Sequence, residues 1–344
     1  MKKILIMEFG SIKADLRPDL PYDIALQECL LAKNIALSKG DIDAAGHASK
    51  GLAECYRRLG QIDKAVQEYN SAKDFFQETK NLSGIAWTNW ATANLLRQQC
   101  DYISSIDLLK DAYGASLTIK DYRCVAYSLA GMAETTRIIG NYTISFIQHL
   151  DALNIFNLLQ DYRGIVWAYE GIAQMYKNCG KIRESLRLFN ISKRIAEEIR
   201  DMRGLGYALK GYGENLGIMG LYKEAINHLT MALFIFEEIK FKIGVAYTYK
   251  TLGDIYLRYA NFENAMSSYN KAFNIFKGLK DQRGIAYVTK GIGDINRKLG
   301  FLEEAINCYL ESQTFFREKK VRYGFLLSSV ALSKLGLNSS GYII

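Results

Sequence analysis

Residues 161–200 read DYRGIVWAYEGIAQMYKNCGKIRESLRLFNISKRIAEEIR, and this stretch decides the fold. Asp161 is a natural N-cap, because a short carboxylate can accept from the free amides of a first helical turn. From Gly164 to Gly180, apolar residues recur at helical spacing: Ile165, Ala168, Ile172, Ala173 and Tyr176. Gly180 closes that helix in the left-handed conformation that favours glycine. A second helix is expected from about Ile182 to Ile199, with Leu186, Phe189, Ile195 and Ile199 inward. Gly171 and Ser185 are small, which lets the two helices approach closely. The product is an antiparallel hairpin with an apolar face that it cannot bury alone.

The same pattern recurs every 40 residues, without insertion, from Asp41 to Lys320. Gly51, Gly131, Gly171, Gly211 and Gly291 share one column, and Gly60, Gly140, Gly180, Gly220 and Gly300 another. Ala65, Ser105, Ser145, Ser185, Ala225, Ala265 and Ala305 form a third, and Asp or Asn holds the capping column in six of seven copies. A fixed period of this length means a solenoid in which each unit buries its face on its neighbours. The chain divides on this reading into an N-terminal segment (1–22), a capping helix (23–40), seven repeats (41–320), a second capping helix (321–336) and a tail (337–344). Lys3 to Met7 has the pattern of a short strand, and the tail ends on an apolar tip, Tyr342-Ile343-Ile344.

The repeats resemble the tetratricopeptide repeat in a 40-residue form. Leu252-Gly253, Tyr256, Ala265, Tyr269 and Ala272 match that family's pattern, as do Leu52-Ala53, Tyr56, Gly60, Ala65, Tyr69 and Ala72. The proline that often ends the family's second helix is missing, and a turn such as Asp281 to Gly284 is expected in its place. The resemblance covers about four fifths of the chain. It implies an all-α, right-handed superhelix whose first helices line the concave face, and it implies a protein-interaction scaffold or adaptor. Fold alone does not fix function, so the inner face has to carry the rest.

Composition narrows the classes. The 344 residues are 49% hydrophobic and 23% charged, as expected of a water-soluble folded chain, and no apolar stretch approaches the length of a membrane span. Glu8 ends the apolar run that begins at Met1, short of a secretory signal. The six cysteines form no CxxC pair and occupy different columns, which fits small buried residues in a reducing cytoplasm. No metal-ligand spacing, nucleophile motif or phosphate loop stands out, so neither metal, cofactor nor catalytic residue is expected.

Four columns, three or four residues apart, share the inner face of the first helices. The first is aromatic: Trp87, Tyr127, Trp167, Tyr207, Tyr247 and Tyr287, with His47 at the open end. The second holds Lys50, Trp90, Ala130, Glu170, Lys210, Lys250 and Lys290. Then come Glu54, Asn94, Glu134, Gln174, Glu214, Asp254 and Asp294, followed by Arg57, Arg97, Arg137, Lys177, Gly217, Leu257 and Arg297. The aromatic column reads equally as packing between repeats, because such rings often bury one edge and expose the other. The pairs Lys50/Glu54, Lys210/Glu214, Lys250/Asp254 and Lys290/Asp294 are spaced for helix-surface ion pairs.

With Arg58, Arg258, Lys298, the helix-start residues Arg123, Arg163, Arg203 and Arg283, and Asp43, these columns hold sixteen Lys/Arg against seven Asp/Glu. The rest of the chain holds twenty-eight against twenty-nine, so the formal excess of +8 falls on the concave side. A positive trough attracts acidic partners. The leading expectation is a cytoplasmic, non-catalytic adaptor that holds an acidic, extended segment of another protein. Single-stranded nucleic acid is the alternative, since basic and aromatic residues interleave, although the carboxylate column opposes it. A small-ligand receptor or enzyme near Trp167 and Glu170 is a third reading, with Glu134, Glu170 and Glu214 as acids or bases if buried.

Overall fold

A computed structural model describes residues 20–337. Its helices run in antiparallel pairs. The leading helix α1 (Tyr22–Ser38) is followed by α2 (Ile42–Arg58) with α3 (Ile62–Glu78), α4 (Leu82–Gln98) with α5 (Tyr102–Thr118), and α6 (Tyr122–Ile138) with α7 (Tyr142–Leu158). Then come α8 (Tyr162–Asn178) with α9 (Ile182–Glu198), α10 (Met202–Ile218) with α11 (Tyr222–Glu238), and α12 (Lys242–Arg258) with α13 (Phe262–Gly278). The last pair, α14 (Gln282–Leu299) with α15 (Leu302–Glu318), is followed by the single helix α16 (Arg322–Ser333). The described residues contain no β-strand, and the fold is an all-α solenoid. Lys3 to Met7 and the apolar tail tip lie outside the described residues.

Capping fixes the phase. Asp41, Asn81, Asp101, Asp121, Asp161, Asp201, Asn261 and Asp281 each accept from the backbone amide three residues on, at 2.8–3.2 Å. Residues 281–284 are therefore a cap and a first helical turn, not the inter-repeat turn read from sequence. The chain reverses one residue earlier, at Lys280, whose φ is 55°. Second helices thus end in the same left-handed conformation as first helices, with a lysine, arginine or glutamine where the first helices mostly carry glycine.

The core is built at the joint between repeats. Phe76, Phe156, Phe236, Phe276 and Phe316 are fully buried, and each lies against a glycine eight residues on. A Cβ on Gly164 would stand 2.2 Å from the Phe156 ring, so this close approach requires glycine. Consecutive first helices pack on one another, whereas second helices do so to no comparable extent. The first helices therefore form the inside of the curve.

The curve closes on itself. The Tyr22 amide donates to the Ile239 carbonyl at 3.2 Å, and Lys280 pairs with Asp63 at 3.1 Å across 217 residues, a little over five repeat lengths. Tyr22, Cys29, Leu52, Cys55 and Leu59 share an apolar cluster with Leu209, Phe236, Ile239 and Phe241. Further along, Cys100, Tyr102 and Ile138 pack with Ala286, Phe316 and Val321. Repeats 41–160 thus rest on repeats 201–320, one superhelical turn away.

Candidate functional site on the inner face

All four columns lie on first helices, but the closed curve leaves them less open than an exposed trough. Trp87, Trp90 and Tyr127 are buried, and Trp167, Tyr207, Tyr247 and Tyr287 are half-buried. The indole of Trp87 donates to Asp121 Oδ2 at 2.9 Å and that of Trp90 to the Tyr127 carbonyl at 2.8 Å. Trp90 also packs edge-on to Tyr127 and Trp167, with centroids 5.5 and 6.1 Å apart. The two buried tryptophans join neighbouring repeats, whereas Trp167 keeps one side exposed.

The charged columns form an internal ladder. Arg57 and Arg58 both reach Glu54, at 2.8 and 3.0 Å, and Arg137 reaches Glu134 at 2.7 Å. Lys177 crosses to Glu214 of the next repeat at 2.7 Å, while Lys210 stands 4.0 Å from the same carboxylate. Lys250–Asp254 and Lys290–Asp294 pair within one helix, as their spacing implies. Lys50 does not: Glu54 is occupied by the two arginines and Tyr69, and the Lys50 ammonium is buried without a hydrogen-bond partner.

Two features of the ladder escaped the sequence reading. The capping aspartates also face inward, since Arg123 pairs with Asp161, Arg163 with Asp201, and Tyr247 donates to Asp281. Counting Asp121, Asp161, Asp201 and Asp281 lowers the inner excess from nine positive charges to five. The second feature is a partner fifteen residues beyond the acidic column, on the second helix. Tyr69 donates to Glu54, Tyr269 to Asp254 at 2.7 Å and Tyr309 to Asp294 at 2.9 Å, while His149 stands 3.5 Å from Glu134. The repeats with an amide in the acidic column, at Asn94 and Gln174, carry Leu109 and Phe189 in that position.

These partners set the protonation states. Burial alone would raise the carboxyls of Glu54 and Glu134, but Arg57 and Arg58 hold the first below its ordinary range, and Arg137 and His149 hold the second well below. Glu214 sits at about 2 because Lys177, Lys210 and Lys250 outweigh its burial. Glu170 goes the other way: burial and then Asp201 push it well above the carboxylate range, with Ser192 Oγ 3.4 Å away. Glu134 and Glu214 are therefore fixed anions rather than proton donors.

Among the described residues no group of three His, Cys, Asp or Glu side chains is placed to hold a metal, and no helix is long and apolar enough to cross a membrane. Cys29, Cys55, Cys100 and Cys124 are buried, whereas Cys179 is exposed. A shallow cleft of about 510 Å³, lined by residues 139–143 and Arg322, lies at the seam between superhelical turns and outside the charged ladder.

The family comparisons agree with this geometry. Residues 204–278 match the family described as tetratricopeptide repeat, and residues 22–129 match soluble NSF attachment protein, SNAP. The chain carries tetratricopeptide repeats. No curated protein sequence matches this tetratricopeptide-repeat chain. Among solved structures, it is similar to a Rap protein complexed with competence and sporulation factor, at 15% identity and a TM-score of 0.61, over 92% of this chain and 98% of the other. It is also similar to the Rap conjugation gene regulator of plasmid pLS20 in complex with the Phr* peptide, at 14% identity and a TM-score of 0.64, over 81% and 78%. A third similar structure is a signal-transduction ATPase with numerous domains from Pyrococcus horikoshii, which has a tetratricopeptide-repeat sensor. There the identity is 16% and the TM-score 0.53, over 91% of this chain and 50% of that one.

Proposed function

We propose that this chain is a cytoplasmic, non-catalytic adaptor whose inner face holds an acidic, extended segment of a partner protein. The observation that carries the reading is the charge left on that face. After the acidic column and the capping aspartates are counted, five positive charges remain among half-buried arginines, lysines and aromatic rings. Charges held at reduced exposure act on a ligand more strongly than free surface charges do. Two structures of similar fold are described as complexes, one with a peptide and one with a factor, which supports a polypeptide occupant. The carboxylates Glu54, Glu134 and Glu214, fixed as anions along the ladder, disfavour a continuous phosphate chain.

The test is fluorescence anisotropy with a labelled peptide of four Glu-Leu repeats, against a Lys-Leu peptide of equal length and a single-stranded oligouridylate. The acidic peptide is expected to bind, with affinity falling as salt rises. Preference for the oligouridylate, or binding of the two peptides alike, would overturn the proposal.

A further inference from the structure

Independently of that reading, we infer that Cys29 and Cys55 form a redox modification site, where a peroxide oxidises the two thiols to a disulfide that fastens α1 to α2. The repeat brings these two positions together. In the 40-residue register, Cys29 falls in the second-helix column of Tyr69, Leu229 and Tyr269, and Cys55 in the first-helix column of Leu95, Ile255 and Ile295. Residues of the two columns meet across the joint: Tyr69 shares an apolar cluster with Leu95, Leu229 with Ile255, and Tyr269 with Ile295. Cys29 and Cys55 share a cluster in the same way, between α1 and α2. Their thiols are within hydrogen-bonding reach of each other. No other repeat places cysteine in both columns.

Burial sets when the site reacts. Cys29 is 3% exposed and Cys55 is fully buried. Burial, and then the neighbouring Cys29 thiol, push the Cys55 thiol well above its ordinary value of 9.0. The thiolate is the nucleophile, so the docked pair is held unreactive. Access comes with movement of α1. Among the described residues this end helix packs chiefly on α2, and it reaches the joint between superhelical turns through Tyr22, whose amide donates to the Ile239 carbonyl and whose hydroxyl accepts from Arg58 at 3.1 Å. An end helix opens at lower cost than an internal one. Once α1 lifts, one sulfur attacks a peroxide oxygen, giving a sulfenic acid and releasing an alcohol, or water where the oxidant is hydrogen peroxide. The second sulfur then attacks the first and displaces water as the S–S bond forms. Two electrons pass from the sulfurs to the peroxide, one thiol proton leaves in the alcohol and the other in the water. The crosslink restricts the unfolded chain and keeps α1, with Tyr22, seated at the joint. In a reducing compartment such a crosslink is transient, which suits a sensor of oxidant.

The test is peptide mapping of the full chain, carrying Cys179→Ser to remove the exposed thiol, after treatment with hydrogen peroxide and alkylation. A peptide joining Cys29 to Cys55 is expected. The oxidised chain should melt several degrees higher than the reduced one, dithiothreitol should reverse the gain, and Cys29→Ala or Cys55→Ala should abolish it. Tyr22→Ala, which removes the partner of Arg58 and loosens α1, should speed the crosslink several-fold. Recovery of both residues as free, alkylated cysteines, or of either one joined to a different cysteine, would overturn the site, and that mapping requires no variant of the pair to fold. A joined chain whose melting temperature is unchanged or lower would overturn the fastening of α1. An unchanged rate in Tyr22→Ala would overturn its control of access.

Discussion

The Tyr22 amide donates to the Ile239 carbonyl at 3.2 Å, tying the first described helix to the end of the fifth repeat. Arg58 completes the joint, with its guanidinium 5.0 Å from the Tyr22 ring centroid and 5.7 Å from that of Phe241. A solenoid is normally held by nearest-neighbour contacts alone. Here a second set of contacts acts across the superhelical turn, and it decides how open the inner face is.

Gly60 separates these two kinds of contact. It has φ 80°, and an added Cβ would stand 2.3 Å from Leu279 of the facing turn. Gly180 has φ 76° with nothing near it. Alanine at either position carries a backbone cost of about 1–2 kcal/mol. Only Gly60→Ala should also loosen the cross-turn joint, seen as a larger radius of gyration by small-angle scattering. Equal scattering curves for the two variants would show that the turns do not bear on each other in solution.

Glu54 is the most heavily used carboxylate of the ladder, shared by Arg57, Arg58 and Tyr69. Removing one partner of a buried charge cluster typically costs about 3–5 kcal/mol. Glu54→Gln should therefore lower unfolding stability by that order at neutral pH. The arginines hold this carboxyl below its ordinary value of 4.5, so its contribution is present above that value and is lost as pH falls below it. Denaturation curves of wild type and variant should converge on acidification. A constant gap down to low pH would mean that the charge is not what stabilises the site.

The 40-residue period made the helical hairpins legible, because capping aspartates, turn glycines and apolar spacing all point to one phase. The inner columns were legible too, since they follow from which face of the first helix turns inward. What sequence hid was the superhelical closure. Tyr22 and Ile239, or Gly60 and Leu279, are brought together by small rotations accumulated over five repeats, and no local pattern records them. The second role of the capping aspartates was hidden for a related reason: Asp161 and Asp201 satisfy a local rule, and nothing in that rule shows that Arg123 and Arg163 of the preceding repeats reach them. The spacing of fifteen from Glu54 to Tyr69, Asp254 to Tyr269 and Asp294 to Tyr309 was a readable signal, because it recurs in the same columns.

Lys50 gives a prediction with the opposite sign to Glu54. The residue is 2% exposed, and its ammonium has no hydrogen-bond partner and lies 5.8 Å from the Trp87 ring centroid. Burial lowers its pKa from 10.5 to about 8, despite the opposing fields of Cys124, Glu54 and Asp121. The unfolded chain keeps its proton to higher pH than the folded chain, so stability should rise between about pH 8 and 10.5. Lys50→Met, similar in length and uncharged, should be more stable than wild type at pH 7, and the advantage should shrink across that window. A destabilised Lys50→Met chain would mean that the ammonium has a partner in solution.

The tryptophans separate packing from binding. Trp90 is 4% exposed, its indole N–H is satisfied by Tyr127, and it touches the rings of Trp87, Tyr127 and Trp167. Truncating such a ring costs about 3–5 kcal/mol of stability. Trp90→Ala should therefore lower the melting temperature sharply. Trp167 shares the cluster but stays half-buried, so Trp167→Ala should cost less stability. It should instead weaken the Glu-Leu peptide by more than about 1 kcal/mol, the usual threshold for an anchor at an interface. Both affinities are to be measured well below the melting temperature of the weaker variant, so that unfolding does not pass for lost binding. If Trp167→Ala lowers the melting temperature and leaves affinity unchanged, Trp167 too belongs to the joint between repeats. Recognition would then rest on the charged ladder alone.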